Sequence, residues 1–108
     1  MNSQEAWNSI ISGLAISTED YSTVPKINRE PLWFSAILNE NYVIIDRAKN
    51  NIPTCKINSP RIITYPGFET VYPYYKKWRL GQVGVRMEAR QRSRNTAYIF
   101  GLIERFCI

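Results

Sequence analysis

The chain has 108 residues, with 14 basic and nine acidic side chains and no histidine. A chain of this length accommodates one domain with one hydrophobic core. The absence of histidine excludes the Ser-His-Asp and Cys-His catalytic systems and every imidazole metal site. Two cysteines are too few for a four-thiolate zinc site within one chain.

The cysteine content and the first residues predict a cytoplasmic protein. Cys55 and Cys107 form no C-x-x-C pair and are too few for a disulfide framework. The N-terminal residues lack the basic start and apolar run of a signal peptide. The longest apolar runs are about five residues, against the ~20 that a membrane helix needs. We therefore expect a reducing compartment and no membrane contact.

The first part of the chain predicts a helix followed by a loop. Apolar residues recur at helical spacing between Gln4 and Ala15, and Ser3 precedes them as a candidate N-cap. Residues 16–31 mix Ser, Thr, Asp, Asn and Pro, which is typical of a loop or linker.

Residues 32–65 predict a small antiparallel sheet. The β-rich runs 32–38 and 42–45 flank a short turn that contains asparagine, which indicates a hairpin. Two shorter runs, 54–57 and 61–65, are further strand candidates. A sheet of three or four short strands needs a cover on one face, such as a helix.

The segment after Pro66-Gly67 predicts a helix with an aromatic face. Its apolar residues recur at i, i+3, i+4, i+7 and i+10, and they are Phe68, Val71, Tyr72, Tyr75 and Trp78. Pro73 lies within this stretch and would start, kink or end a helix there. Residues 83–90 fit either a strand or a short helix.

The last segment predicts a helix over residues 94–106 with Ser93 as its N-cap. Its buried side would include Ile99, Leu102, Ile103 and Phe106. The alternative is a hairpin that pairs residues 83–90 with 96–103.

These elements together predict one α+β domain over residues 1–108. It comprises a helix and linker in 1–31, a small antiparallel sheet in 32–65, and a helical basic region in 68–108 with a helix-turn-helix-like arrangement.

The positive charge lies in the last third of the chain. Residues 76–108 hold eight basic and two acidic side chains, a net charge of +6, whereas residues 1–75 have a net charge of −1. Such a one-sided basic field attracts polyanions. Six of the eight are arginines, whose planar fork binds phosphate or guanine in a bidentate way. The alternative is a solvated surface that only keeps the protein soluble.

The run Ser93-Arg94-Asn95-Thr96-Ala97-Tyr98, preceded by Gly81-Gln82-Val83 and Glu88-Ala89, carries a family resemblance. Over about the last 40 residues the chain resembles the helix-turn-helix of serine-recombinase C-terminal domains and small transcription regulators. The interval from Ala89 to Ser93 is about two residues shorter than in that family, so two nearly continuous helices are the alternative to a standard turn.

The resemblance implies a recognition helix whose N-terminus enters the major groove. Arg94 would then contact guanine and Asn95 adenine, while the other polar residues hold phosphate or supply charge. The candidate DNA-binding residues are Lys76, Lys77, Arg86, Arg90, Arg92, Ser93, Arg94, Asn95, Thr96 and Tyr98. The alternative reading makes Ser93 a cap, Thr96 a first-turn residue and Tyr98 part of the core.

Two further clusters carry weaker signals. The aromatic residues between Tyr65 and Trp78 would suit base stacking, but their helical spacing favours core packing, with Tyr74 facing outward beside Lys77. Glu40, Asp46 and Lys49 superficially suggest a metal-dependent nuclease, but their spacing does not fit a strand-borne acidic-x-Lys motif. We therefore expect no enzyme activity, no cofactor and no metal.

The sequence predicts a DNA-binding protein that reads duplex DNA with its C-terminal basic helix. It would act as a small transcriptional regulator or a mobile-element accessory protein. A homodimer is expected because one small reading helix usually needs a second half-site. The rival functions are a phage or mobile-element protein-interaction module or inhibitor, and a structural subunit of a larger assembly.

Overall fold

The computed structural model describes residues 1–17, 19–24 and 30–108. In these residues the helices are α1 (Ser3–Ile16), α2 (Tyr65–Arg79), α3 (Val85–Arg92) and α4 (Thr96–Phe106). The strands are β1 (Asp20–Ser22), β2 (Trp33–Asn39), β3 (Tyr42–Arg47) and β4 (Arg61–Ile63). The predicted α+β class, with an N-terminal helix and C-terminal helices, is confirmed.

The strands form one antiparallel sheet in the order β1-β2-β3-β4. The predicted hairpin is β2–β3, and its turn places Glu40 at a φ of 56°. Alternate residues of β2 and β3 point into the core, so Phe34, Ala36, Val43 and Ile45 are buried.

Two strand predictions are wrong. β1 lies within residues 16–31, which the composition assigned to a loop, because a three-residue strand is too short to show an alternating pattern. Residues 54–57 form no strand; Thr54 makes a single parallel bridge to Trp33. The apolar side chains there are buried, but the backbone pairs at one point only.

The aromatic spacing correctly located α2. Phe68, Val71, Tyr72 and Tyr75 are buried along one side of it. The helix neither starts nor ends at Pro73, which lies on its exposed side. The aromatic cluster of α2 therefore packs in the core, as its helical spacing predicts. Tyr74 is half-buried, with the Lys77 Nζ 5.7 Å from its ring centroid.

The predicted N-caps of α1 and α4 are both wrong. Asn2 caps α1, because its side chain accepts the Glu5 N–H while the Glu5 carboxylate accepts the Asn2 N–H. Ser93 does not cap α4; it is the extended residue that ends α3, and α4 begins after Asn95. Both segments 85–92 and 96–106 are helical, so the alternative hairpin is excluded.

Helix α4 lies in the centre of the molecule. It contacts α1, α2, α3 and β1, and seven of its 11 residues are buried. The helix approaches the sheet closely at Gly101, where an added Cβ would lie 2.5 Å from the Ser22 carbonyl oxygen and 3.2 Å from the Phe34 ring. Only a residue without a side chain allows α4 to pack this closely on β1.

We expect Gly101→Ala to lower the free energy of unfolding by about 1–3 kcal/mol, because the new methyl group must push backbone aside. Helix propensity alone would give the opposite sign, by ~1 kcal/mol. Urea denaturation followed by tryptophan fluorescence measures the difference.

Gly67→Ala in α2 is the matched control. The nearest atom to its added Cβ is the Thr64 Oγ1 at 3.7 Å, an ordinary contact, so this variant should be at least as stable as the wild type. Equal stability of Gly101→Ala and the wild type would contradict the close packing of α4.

Candidate anion-binding cleft

The connection between α3 and α4 is held by internal hydrogen bonds. Ser93 N–H donates to the Ala89 carbonyl at 3.0 Å, and Asn95 N–H donates to the Ser93 hydroxyl at 3.1 Å. The Thr96 hydroxyl lies within hydrogen-bond distance of the carbonyls of Ala89 (3.0 Å) and Ser93 (2.9 Å). The three residues 93–95 therefore separate two distinct helices, and the nearly continuous alternative is excluded.

Thr96 fixes the relative position of the two helices because its side chain is only 1% exposed. Its hydroxyl joins the last turn of α3 to the first turn of α4. This arrangement sets the shape of the surface between them.

A cleft of about 420 Å³, which we call the arginine cleft, opens where α3, the start of α4 and β4 meet. Four arginines line it, and none of the described lining residues is a carboxylate. The lining residues are Arg61, Arg86, Arg90, Ser93, Arg94, Thr96, Ala97 and Tyr98. Guanidinium groups gathered without acidic partners repel one another, and an anion in the cleft would relieve that repulsion.

Two of these arginines are anchored by the protein itself. Arg61 Nη1 donates to the Arg94 carbonyl at 2.9 Å, and its guanidinium lies 5.4 Å from the Tyr98 ring centroid. Arg86 donates to the Val24 carbonyl, and its guanidinium lies 5.2 Å and 5.3 Å from the Trp78 and Phe100 ring centroids. Anchored arginines lose less conformational entropy when they bind a ligand.

Burial at the cleft disfavours the charged forms of its ionisable side chains. Burial lowers the pKa of the half-buried Arg86, and the positive charge of Arg90 lowers it further. Burial also raises the pKa of Tyr98 and of Cys55, so both side chains stay neutral at pH 7. Among the residues that the structure describes, none at the floor of the cleft supplies a compensating negative charge.

Arg90 and Arg94 are exposed at the rim of the cleft. The ion pairs found within the described ranges are Arg79–Glu104 at 3.6 Å and Arg105–Glu19 at 3.2 Å, and neither includes a cleft residue. The positive charge of the cleft is thus free of acidic partners in the described part of the chain.

A second cleft of about 340 Å³, the side cleft, adjoins the first. Its lining residues are Lys56, Asn58, Ser59, Arg61, Ile62, Arg94 and Asn95. Arg61 and Arg94 belong to both clefts, so the basic surface is continuous. The Asn95 Oδ1 is buried and accepts no hydrogen bond from any of the described residues.

The structure brings together most of the candidate residues. Six line the arginine cleft, namely Arg86, Arg90, Ser93, Arg94, Thr96 and Tyr98, and Asn95 lines the side cleft. Lys76, Lys77 and Arg92 line neither. Lys76 instead donates to the Met1 carbonyl, next to the N-terminus of α1.

Two candidate residues need correction. Thr96 is 1% exposed with its hydroxyl bonded internally, and Tyr98 is 8% exposed beneath Arg61. Neither side chain belongs to an exposed contact surface. The alternative reading of Tyr98 as core is the correct one, since the ring packs edge-on against Phe34.

Sequence reasoning missed Lys56 and Arg61. Both lie in the first 75 residues, whose net charge is slightly negative, so counting charges along the chain hides them. The inward pattern of β4 was the available signal, because Arg61 pairs with the buried Ile45 and shares its face of the sheet.

No family model, curated protein or solved structure matches this chain. Among the described residues, no helix has the length and apolar character to cross a membrane. Within the same residues, no three Cys, Asp or Glu side chains are grouped as metal ligands would be.

We expect Thr96→Val to lower the free energy of unfolding by about 1–3 kcal/mol, because it removes, at nearly unchanged volume, the buried hydroxyl that bonds between the Ala89 and Ser93 carbonyls. Thr70→Val is the matched control, since that hydroxyl donates to the Pro66 carbonyl at an exposed position. The control should change stability by less than about 0.5 kcal/mol. Equal effects of the two substitutions in urea denaturation would contradict the locking role of Thr96.

Proposed function

We propose that this protein binds duplex DNA through its phosphate backbone, with the arginine cleft and the side cleft as the contact surface. The observation that carries this proposal is the convergence of four arginines on a cleft in which the described residues place no carboxylate. Arginine binds phosphate oxygens in a bidentate way, and it is more weakly hydrated than lysine. Phosphate contacts provide most of the affinity of such complexes.

The continuity of the two clefts favours a polyanion over an isolated anion. Arg61 and Arg94 line both, and Lys56 extends the positive charge into the side cleft. A strand that places successive phosphates in neighbouring clefts would contact both sets of cations. A single small anion would use only one of them.

The burial of α4 changes how base reading would occur. The side chains of residues 98–103 are all buried, so the body of α4 is not available to a DNA groove. Arg94 is exposed at its start and is the proposed base contact, whereas Asn95 is half-buried there and its Oδ1 is buried. The resemblance to serine-recombinase domains stays a prediction, and here phosphate contacts would outweigh base contacts.

The open face of the sheet supports a homodimer or another protein partner. Ile37, Ile44 and Ile62 are aligned across β2, β3 and β4 by the strand register. Ile37 is 47% and Ile62 58% exposed, which makes this row an apolar stripe on the face opposite the helices. A dimer through this face would carry two basic surfaces. The same stripe would serve the rival function, a protein-interaction module.

We further propose that the protein regulates transcription or serves as an accessory protein of a mobile element, and that it acts in the cytoplasm. Both roles require a protein that reaches DNA directly and acts without chemistry of its own. The basic surface supports the first requirement.

A salt series with a random duplex tests the proposal. Because about four arginines contact phosphate, we expect the logarithm of the binding constant to fall with log salt at a slope near −3 to −4, at about 0.9 per phosphate. Arg94→Ala should reduce the steepness of that slope by about one. Lys77→Ala, outside both clefts, should leave it unchanged. An affinity insensitive to salt, or equal effects of the two substitutions, would contradict the proposal.

A further inference from the structure

We propose that the arginine cleft is a terminal-phosphate site, which takes the phosphate monoester at the end of a nucleic-acid strand. This inference rests on the proposed function and names the part of the nucleic acid that the cleft selects. It follows from the charge, the donors and the dimensions of the cleft.

The charge of the cleft exceeds what one phosphodiester offers. Arg61, Arg86, Arg90 and Arg94 all line it, and the described residues provide no acidic partner there. A diester group carries one negative charge, whereas a phosphate monoester carries about 1.5 to 2 at pH 7. The monoester therefore neutralises more of the repulsion among the four guanidinium groups.

The donors of the cleft suit three terminal oxygens. Arg61 and Arg86 are fixed by carbonyls and aromatic rings, while Arg90 and Arg94 are free to close over a ligand from the rim. The first helical hydrogen bond of α4 runs from the Ile99 N–H to the Asn95 carbonyl, so the amides of residues 96–98 precede it. Such helix-start amides add partial positive charge to a site that the arginines already define.

The cleft has the size of a small-ligand pocket. Its volume of about 420 Å³ lies at the lower end of the range for small-molecule pockets, ~300–1,000 Å³. The backbone phosphates of a duplex can contact the cations of both clefts, whereas a strand end can also place its terminal phosphate within the arginine cleft. The side cleft, which shares Arg61 and Arg94, then receives the next phosphate.

The experiment compares one duplex sequence in four forms by fluorescence anisotropy at fixed salt. The forms carry a 5′-phosphate, a 3′-phosphate, hydroxyl groups at both ends, or closed loops that remove the ends. We expect at least one phosphorylated form to bind about tenfold or more tightly than the hydroxyl form, the size of one or two charge-assisted hydrogen bonds. The closed form should bind about as well as the hydroxyl form.

Arg90→Ala and Arg92→Ala are a matched pair. Both arginines are exposed in the last turn of α3, but only Arg90 lines the cleft. The preference for the phosphorylated end should fall to less than about threefold in Arg90→Ala, which is ~0.6 kcal/mol. It should persist in Arg92→Ala.

Every outcome of these binding measurements either supports or overturns the terminal-phosphate site. Equal binding of all four forms would overturn the terminal-phosphate site and leave DNA binding intact. Loss of the preference in both variants alike would also overturn it. Competition by inorganic phosphate or a nucleoside monophosphate as strong as that by the phosphorylated strand would overturn the assignment to a strand end. Absence of binding to every form would contradict the proposed function itself.

Discussion

Helix α4 packs so closely on β1 that a Cβ at Gly101 would lie 2.5 Å from the Ser22 carbonyl oxygen. A backbone contact this tight places α4 between the sheet and the other helices, where its side chains from Tyr98 to Ile103 are buried. The helix can therefore reach solvent only at its ends. Thr96 then ties its first turn to the end of α3. The basic surface is the direct result, because β4, α3 and the start of α4 meet there.

The arginines of this surface are divided between fixed and free groups. Aromatic rings of the core hold two of them, so the fold itself maintains positive charge where charges repel. This arrangement disfavours the charged form of Arg86, since burial and the positive charge of Arg90 both lower the pKa of its guanidinium. A protein that only needed a solvated surface would place its cations apart. Their convergence is what leads us to propose phosphate as the ligand.

The sequence predicted well those elements whose pattern is long and local. The aromatic stripe of α2 and the alternation of β2–β3 each depend on contacts within one segment, and both predictions are confirmed. The prediction for α4 had the right type and most of the right face, since Ile99, Leu102 and Ile103 are buried whereas Phe106 is half-buried. The amphipathic pattern could not show that residues 98–103 are all buried. That depends on Gly101 meeting β1, about 80 residues earlier in the chain.

The candidate site was only partly predictable for the same reason. Charge counting found Arg86, Arg90 and Arg94, which lie close in sequence. It could not find Arg61, because Arg61 lies 33 residues before Arg94 and reaches the Arg94 carbonyl only in the folded chain. Charge counting also selected Lys76 and Lys77 as DNA contacts. They are near the cleft arginines in sequence but lie on α2, outside both clefts. Tertiary structure decides which cations act together.

The most direct test of this account is amide chemical-shift mapping during titration with a short duplex. We predict that the largest changes fall on residues 93–97 and on Arg61, at the two clefts. The isoleucine row of the sheet should show changes no larger than those of residues far from any ligand. Largest changes at Lys76 and Lys77, with the clefts unaffected, would contradict the proposal that DNA phosphates bind between β4, α3 and α4.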